Sequence, residues 1–184
     1  SWTLTVPTAD ALSLSTPTTV DTLQLEGVLE NKSTVTVRVE SEVKGRLDNK
    51  GTFNAQGQFR NLGTVQNRSG ATFNNETSNG FDNTGTVVDD GNVANRTEVR
   101  NNGLVENSGT NGNESNILSF GDLRNLGTIT NLGILRNAGD FDNLNTVTNR
   151  GRMVNNRRMG NAQGAEIINQ NVGELRNRAL LNSV

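Results

Sequence analysis

A six-residue period runs through most of this chain and limits the folds that it can adopt. The repeating pattern is Gly-x-Φ-x-Asn-x, in which Φ is apolar, and it is most regular over residues 121–144. From Phe81 to Met159 the Φ position occurs 14 times and is apolar in 13 of them. The Asn position two residues later is Asn in 12 of 14 repeats, with Asp89 and Ser119 as the exceptions. Such regularity predicts a repeat architecture rather than a disordered chain.

A period of six excludes an α-helix or coiled coil, whose apolar periods are 3.6 and 3.5 residues. In an extended chain alternate residues share a face, so Gly, Φ and Asn point inward and the intervening, often charged, positions face water. Each hexad is then one short strand and one corner, and Gly and Asn favour the corner because both accept left-handed backbone angles. Three hexads form a coil of about 18 residues, and roughly nine coils about 4.8 Å apart make a rod on the order of 40 Å long.

The sequence therefore predicts an all-β fold, a single-chain parallel β-solenoid (β-helix) of roughly 18-residue triangular coils, with its handedness left open. Stacked coils bring Thr128 beneath Thr146 and Thr130 beneath Thr148. They also bring Glu106, Arg124 and Asp142 into one outer column. Buried Asn side chains can bond to the Asn one coil away. The predicted structural Asn ladder consists of Asn125, Asn131, Asn137, Asn143, Asn149 and Asn155.

The first 20 residues depart from the hexad pattern and contain the only Trp and both Pro residues. We interpret 1–20 as an N-terminal cap over the first coil or as an attachment segment that docks into a partner. The attachment candidates are Trp2, Leu4 and Val6. Residues 21–184 form the solenoid, with one slip of the repeat near 69–80 and another near 160–166.

Composition removes most catalytic chemistry. The chain of 184 residues contains no Cys, no His and no Tyr, so thiolate nucleophiles, imidazole bases and the usual zinc ligands are absent. The net charge is -2, which predicts no nucleic-acid partner. No segment approaches the roughly 18 apolar residues of a membrane helix, so we expect no membrane insertion. The start at Ser1 slightly favours a protein that is used as made, although a leader cleaved before Ser1 would leave the same start.

Three chemical alternatives find little support in the residues. A glycosidase needs two carboxylates beside a groove, and Asp89–Asp90 or Asp140 with Asp142 are candidates. Aromatic content is only 4%, and no long inserted loops are evident, so we expect no enzyme and no catalytic residues. Gly-Gly-x-Gly-x-Asp calcium repeats are absent, which predicts no metal and no cofactor.

Ice binding would need Thr-x-Thr on one flat face in successive coils. Thr128 and Thr130, with Thr146 and Thr148, meet this need for two coils. The next positions, Thr110 and Gly112 on one side and Ala165 and Glu166 on the other, interrupt the array. The sequence therefore disfavours ice binding.

Residues 125–133, Asn-Leu-Gly-Thr-Ile-Thr-Asn-Leu-Gly, resemble the Asn/Gly-rich repeats of parallel β-solenoids. Such repeats occur in secreted adhesins and in spikes or fibres of phages and archaeal viruses, and the resemblance covers roughly residues 21–182. It implies a non-enzymatic structural protein that forms a rigid rod-like surface appendage. The leading expectation is a virion spike, turret, decoration or fibre subunit at the virion surface.

The expected partners are copies of the same chain, with a homotrimer favoured by analogy with viral fibres, and other structural proteins of the particle. A host-surface receptor or glycan is a further expected partner. The alternative is a secreted or cell-surface adhesin or a self-assembling extracellular filament subunit.

Overall fold

The computed structural model describes residues 1–76, 80–95, 99–101, 104–107, 110–113, 116–119, 122–170, 173–178 and 181–183. The elements in this part of the chain are β-strands of three to ten residues. In chain order they are β1 (Thr3–Val6), β2 (Ala11–Leu14), β3 (Thr18–Leu25), β4 (Val28–Asn31), β5 (Thr34–Val43), β6 (Arg46–Asn49), β7 (Thr52–Ala55), β8 (Gln58–Asn61), β9 (Thr64–Asn67), β10 (Thr72–Asn75), β11 (Phe81–Asn83), β12 (Thr86–Asp89), β13 (Asn92–Asn95), β14 (Val99–Asn101), β15 (Leu104–Asn107), β16 (Thr110–Asn113), β17 (Asn116–Ser119), β18 (Asp122–Asn125), β19 (Thr128–Asn131), β20 (Ile134–Asn137), β21 (Phe141–Asn143), β22 (Thr146–Asn149), β23 (Arg152–Asn155), β24 (Met159–Asn161), β25 (Glu166–Asn169), β26 (Glu174–Asn177) and β27 (Leu181–Ser183).

Each coil contributes one strand to each of three faces, and every pairing between coils is parallel. The first face contains residues 18–20 of β3, residues 34–37 of β5, then β7, β10, β13, β16, β19, β22 and β25. The second face contains β1, residues 22–25 of β3, residues 40–43 of β5, then β8, β11, β14, β17, β20, β23 and β26. The third face is the ten-stranded sheet β2-β4-β6-β9-β12-β15-β18-β21-β24-β27. The protein is therefore the parallel β-solenoid that the hexad period predicts.

The 18-residue spacing holds through the middle of the molecule. Thr128 pairs with Thr146 and Thr130 pairs with Thr148, as the sequence predicts. The backbone of Arg124 pairs with that of Glu106 on one side and that of Asp142 on the other, which confirms the predicted column. Ten strands at the usual sheet spacing make a rod on the order of 45 Å long.

Two groups of wider coils interrupt this spacing. Phe59 pairs with Phe81, 22 residues on, and Thr146 pairs with Glu166, 20 residues on. The added residues form four-residue corners such as 68–71 and 162–165, in which Gly70 and Gly164 have a φ of 80°. Each of these two corners closes with a backbone hydrogen bond from its fourth residue to its first. Residues 77–79, within the first predicted slip, lie outside the described residues.

This spacing corrects one sequence-based alignment. That alignment takes Ala165 and Glu166 as the positions that follow the Thr146–Thr148 pair, whereas the register places Glu166 and Ile168 there. The cause is the two-residue lengthening at the 162–165 corner, which lies within the slip that the sequence places near 160–166. The strands on either side stay in parallel register because the extra residues leave the sheet and lie in the corner.

Residues 3–20 stack on the coils that follow them. β1 pairs with residues 22–25, β2 pairs with β4, and residues 18–20 pair with 35–37. Val6 and Val20 are buried in the same apolar core as the later Φ residues, and Leu12 packs against it. These residues thus form the first coil of the solenoid.

The Φ side chains fill the narrow interior in a single column-like core. Leu135, Phe141, Val147 and Met153 are fully buried, and so are the earlier Φ residues from Leu23 to Phe59. Phe53 stacks on the Phe73 ring one coil away with centroids 5.3 Å apart, and Phe59 meets Phe81 edge-on at 4.8 Å. In the first coils the position two residues after Φ is also apolar and buried, as at Leu25, Val37 and Val43. Burial of these apolar side chains is the main source of stability.

The glycine corners have a different cause from the one inferred from sequence. Gly45 and Gly63 do not adopt a left-handed φ. A Cβ atom on Gly63 would lie 2.1 Å from the backbone oxygen of Gly45, and a Cβ atom on Gly45 would lie 2.0 Å from that of Gly27. Glycine is therefore required at these corners because neighbouring coils approach too closely for any side chain.

Candidate interaction face

The Asn ladders hold the coils in register and so decide which side chains each face presents. In the regular arrangement, the Nδ2 of one Asn donates to the Oδ1 of the Asn one coil later. Asn125 Nδ2 donates to Asn143 Oδ1 at 2.7 Å and also to the backbone oxygen of Thr146 at 3.0 Å. One carboxamide thus links two successive coils and a corner. Each such buried bond contributes about 1 kcal/mol.

All six asparagines that the sequence singles out lie in these ladders and are buried. Asn131 Nδ2 donates to Asn149 Oδ1 at 2.7 Å on the first face. Asn137 Nδ2 donates to Asn155 Oδ1 at 2.8 Å on the second face. The ladder of the third face extends beyond them to both sides, through Asn31, Asn49, Asn67, Asn107 and Asn161.

Asp89 replaces an asparagine in the ladder of the third face. It is fully buried, and its Oδ1 accepts hydrogen bonds from Asn67 Nδ2 at 2.9 Å and from the Gly91 amide at 3.1 Å. Its Oδ2 is also buried and has no hydrogen-bond partner among the described residues. Burial raises the pKa of Asp89 to about 6, against the weaker opposite effect of those two donors. Asp90, next in the chain, raises it slightly further.

The second and third faces present charged side chains that pair between coils. Arg60 donates to Glu42 at 3.0 Å on the second face. Arg68 binds Asp48 on the third face through two bonds of 2.7 and 3.1 Å, which hold the pKa of Asp48 below its usual value. On the same face Lys32, then Lys50 and Ser13, lower the pKa of Glu30 to about 2. These two faces are solvated surfaces with charges of both signs.

The first face differs from the other two because its outward positions between residues 34 and 148 carry no charged residue. Each described coil offers the first and third residues of its strand to solvent, while the second and fourth are directed inward. The described outward residues are Thr34, Thr36, Thr52, Asn54, Thr72, Asn74, Asn92, Ala94, Thr128, Thr130, Thr146 and Thr148. The register of β16 adds Thr110 and Gly112 to the same two columns.

Side chains on the first face also bond to one another along the rod. Asn54 Nδ2 donates to Thr36 Oγ1 at 3.2 Å, and Asn74 Nδ2 donates to Asn54 Oδ1 at 2.8 Å. These bonds run across the same three coils as the Thr34, Thr52 and Thr72 column. The surface is therefore a flat, regular array of short polar side chains on a rigid sheet. Sequence reasoning missed this array because it assumed an 18-residue spacing, under which Thr52 and Thr72 do not align.

The two pairs of candidate carboxylates lie in different surroundings. Asp89 lies inside the ladder, and Asp90 lies at the corner after it. Asp140 accepts from Arg158 at 3.2 Å, and Asp142 accepts from the same guanidinium at 2.9 Å. Across the part of the chain that the structure describes, no group of three or more His, Cys, Asp or Glu residues is arranged to hold a metal ion.

The three attachment candidates have different environments. Trp2 is 62% exposed, Leu4 is half-buried and packs against the core, and Val6 is 2% exposed. Trp2 is tied to the first coil, because its amide donates to Asp21 Oδ2 at 2.9 Å and its backbone oxygen accepts from the Asp21 amide. Of the three side chains, that of Trp2 is the one available to a partner.

Among the described residues, no helix is long and apolar enough to cross a membrane. No protein-family model, curated protein sequence or solved structure matches the chain. Inference about function therefore rests on the geometry of the three faces.

Proposed function

We propose that this protein is a non-enzymatic structural rod that forms part of a surface appendage and engages its partner through the first face. The observation that carries the proposal is the segregation of charge: two faces carry paired ions, and the first carries short uncharged side chains over seven successive coils. Solvated surfaces of a small protein normally intersperse charges. A face that excludes them over such a length is better explained by contact with something else.

The leading setting for such a rod is the surface of a virion, as a spike, turret, decoration or fibre subunit, with a homotrimer as the expected assembly. The rigid ladders and the short corners suit a particle that must keep a fixed projecting shape. A secreted or cell-surface adhesin, or an extracellular filament subunit, is the alternative. The uncharged first face is compatible with either setting, since an adhesin and a spike can both use an extended contact surface.

The native mass of the purified chain, measured by light scattering, tests these assemblies. A defined trimer supports the virion component, and an open-ended polymer supports the filament. A variant with arginine at the centre of the first face, Thr128→Arg, reports whether that face is used. If this variant behaves as the unmodified chain does in native mass and in binding to every surface tested, the first face is not the interaction surface.

A further inference from the structure

The outward residues of the first face repeat in two directions, and the strand register gives the spacing in each. Along the rod, equivalent residues recur at the spacing of neighbouring strands, about 4.8 Å. Across the rod, the first and third residues of each strand are about 6.6 Å apart. Thr128 and Thr130 with Thr146 and Thr148 form one complete unit of this lattice. Thr52 and Thr72 continue the first column at the other end of the face.

The chemistry of the face restricts what can cover it. It carries no charge, so neither an ionic partner nor nucleic acid fits it. It carries no aromatic side chain on its described outward positions, which a sugar ring would need for stacking. Threonine hydroxyls can hydrogen-bond to water, and threonine methyl groups hold water in ordered cages next to apolar surface. The surface is therefore suited to water molecules held in a regular array.

We propose that the first face binds ice. The strand spacing of about 4.8 Å is close to the a-axis repeat of hexagonal ice, and the spacing across the rod is somewhat shorter than the ice repeat at right angles to that axis. A lattice match lets many weak contacts form together without distorting either surface, so affinity grows with the number of matched coils. This inference rests on the proposed role of the first face as the interaction surface and names its partner.

Two further features of the described residues agree with an ice surface. Leu126 and Leu144 lie at one edge of the Thr128–Thr148 unit and Leu132 lies at the other, and Leu132 and Leu144 are 49% and 41% exposed. Leu126 and Leu144 widen the surface at their edge without introducing strongly hydrated groups, whereas at the other edge Leu132 is followed one coil later by the exposed Arg150. The array ends where the register brings in Glu166, which is exposed. The carboxylate of Glu166 holds its own hydration shell and marks one limit of the proposed contact.

The test compares one change on two faces. Thr128 and Thr86 each occupy the first position of a strand and are half-buried, and the backbone oxygen of each accepts a bond from a ladder Asn. Thr86 belongs to the third face. Thr128→Arg places a long charged side chain in the lattice, and Thr86→Arg places it outside. Melting curves of both variants establish that each has folded.

The measurement is the incorporation of fluorescently labelled protein into a slowly growing ice surface, with thermal hysteresis recorded on the same samples. We expect the unmodified chain and Thr86→Arg to enter the ice and Thr128→Arg to be excluded. Exclusion of the unmodified chain, or equal incorporation of the two variants, overturns the proposal. If the unmodified chain is excluded while Thr128→Arg changes the native mass, the first face binds another copy of the chain, and only the ice assignment fails. Ice binding by the unmodified chain would favour the secreted or cell-surface setting over the virion.

Discussion

Asn67 Nδ2 donates a 2.9 Å hydrogen bond to Asp89 Oδ1 and joins a carboxamide to a carboxyl group inside the ladder of the third face. In the regular ladder each Asn in turn donates a hydrogen bond to the Asn of the next coil, as Asn107 Nδ2 does to Asn125 Oδ1 at 2.8 Å. Asp89 can supply a donor to the Asn107 side only when its Oδ2 carries a proton. The ladder is thus continuous across this coil only when Asp89 is protonated.

Stability should fall as the pH rises through the range in which Asp89 titrates. The folded pKa is about 6 and the ordinary value is 3.8, so between about pH 4 and 6 the folded chain keeps a proton that the unfolded chain has lost. The stabilisation is complete below pH 4 and is absent above about pH 7. The difference corresponds to about 3 kcal/mol. Asp89→Asn should remove this pH dependence and raise the melting temperature at pH 7.5.

Chemical denaturation of both forms at pH 4.5 and 7.5 measures the effect. Other groups, such as Glu30 with its pKa of about 2, titrate in both forms and cancel in the comparison. A variant that is less stable than the parent at pH 7.5 would contradict the assignment of a ladder position to Asp89.

Replacing a ladder asparagine should lower the free energy of unfolding far more than replacing the outward residue beside it. Asn131→Leu removes the bond to Asn149 Oδ1 and the bond to the backbone oxygen of Arg152, which leaves buried acceptors without their donor. We expect a loss of about 2–4 kcal/mol in the free energy of unfolding. Thr130→Val, one residue earlier and directed outward, should change it by less than about 0.5 kcal/mol. Equal melting temperatures would show that the inward role of Asn131 is wrong.

The same substitution should destabilise the fold to very different extents at two glycines. Gly63→Asn places a Cβ atom 2.1 Å from the Gly45 backbone oxygen, so the coils must separate and the variant should fold poorly or not at all. A Cβ atom on Gly70 would have no atom within 4 Å, and Asn tolerates the φ of 80° at that position. The cost of Gly70→Asn should be about 1 kcal/mol or less. Circular dichroism and thermal melts of the two variants measure the contrast, which disappears if both glycines serve only to allow a left-handed backbone.

The ion pair between Arg68 and Asp48, which has two hydrogen bonds, should contribute more to the stability of the fold than an ion pair with one. Arg68→Lys loses the planar fork that holds Asp48, so we expect a loss of about 1 kcal/mol that is measurable at pH 7. The loss should shrink as the pH falls below the ordinary pKa of an aspartate, because the lowered pKa of Asp48 contributes stability only above that range. Arg60→Lys, which replaces a single hydrogen bond to Glu42, serves as the control. An equal cost for both would argue against the geometry of the fork.

The hexad period was enough to predict the strands, the inward Φ and Asn residues and the columns around Thr128 and Thr146. It also indicated slips near 69–80 and 160–166, where the longer corners 68–71 and 162–165 lie. It could not predict the register after these corners, because their residues follow no hexad and their length sets the spacing of the next strands. The sequence did not predict the charge-free first face for the same reason, because the columns of that face depend on the register across the longer corners. The sequence also could not predict the close approach of neighbouring coils at Gly45, because it depends on the distance between coils rather than on any local preference.

The four-residue corners have a consequence for how such a chain can change in length. At 68–71 and 162–165 two residues are added, yet the strands before and after them pair as regularly as in the shorter coils. The number of residues per coil can therefore vary in this molecule. The axial distance between coils cannot, because the hydrogen bonds between strands fix it. Corners of this kind are natural sites for grafting peptides or inserting labels, because the axial repeat of the rod would remain unchanged.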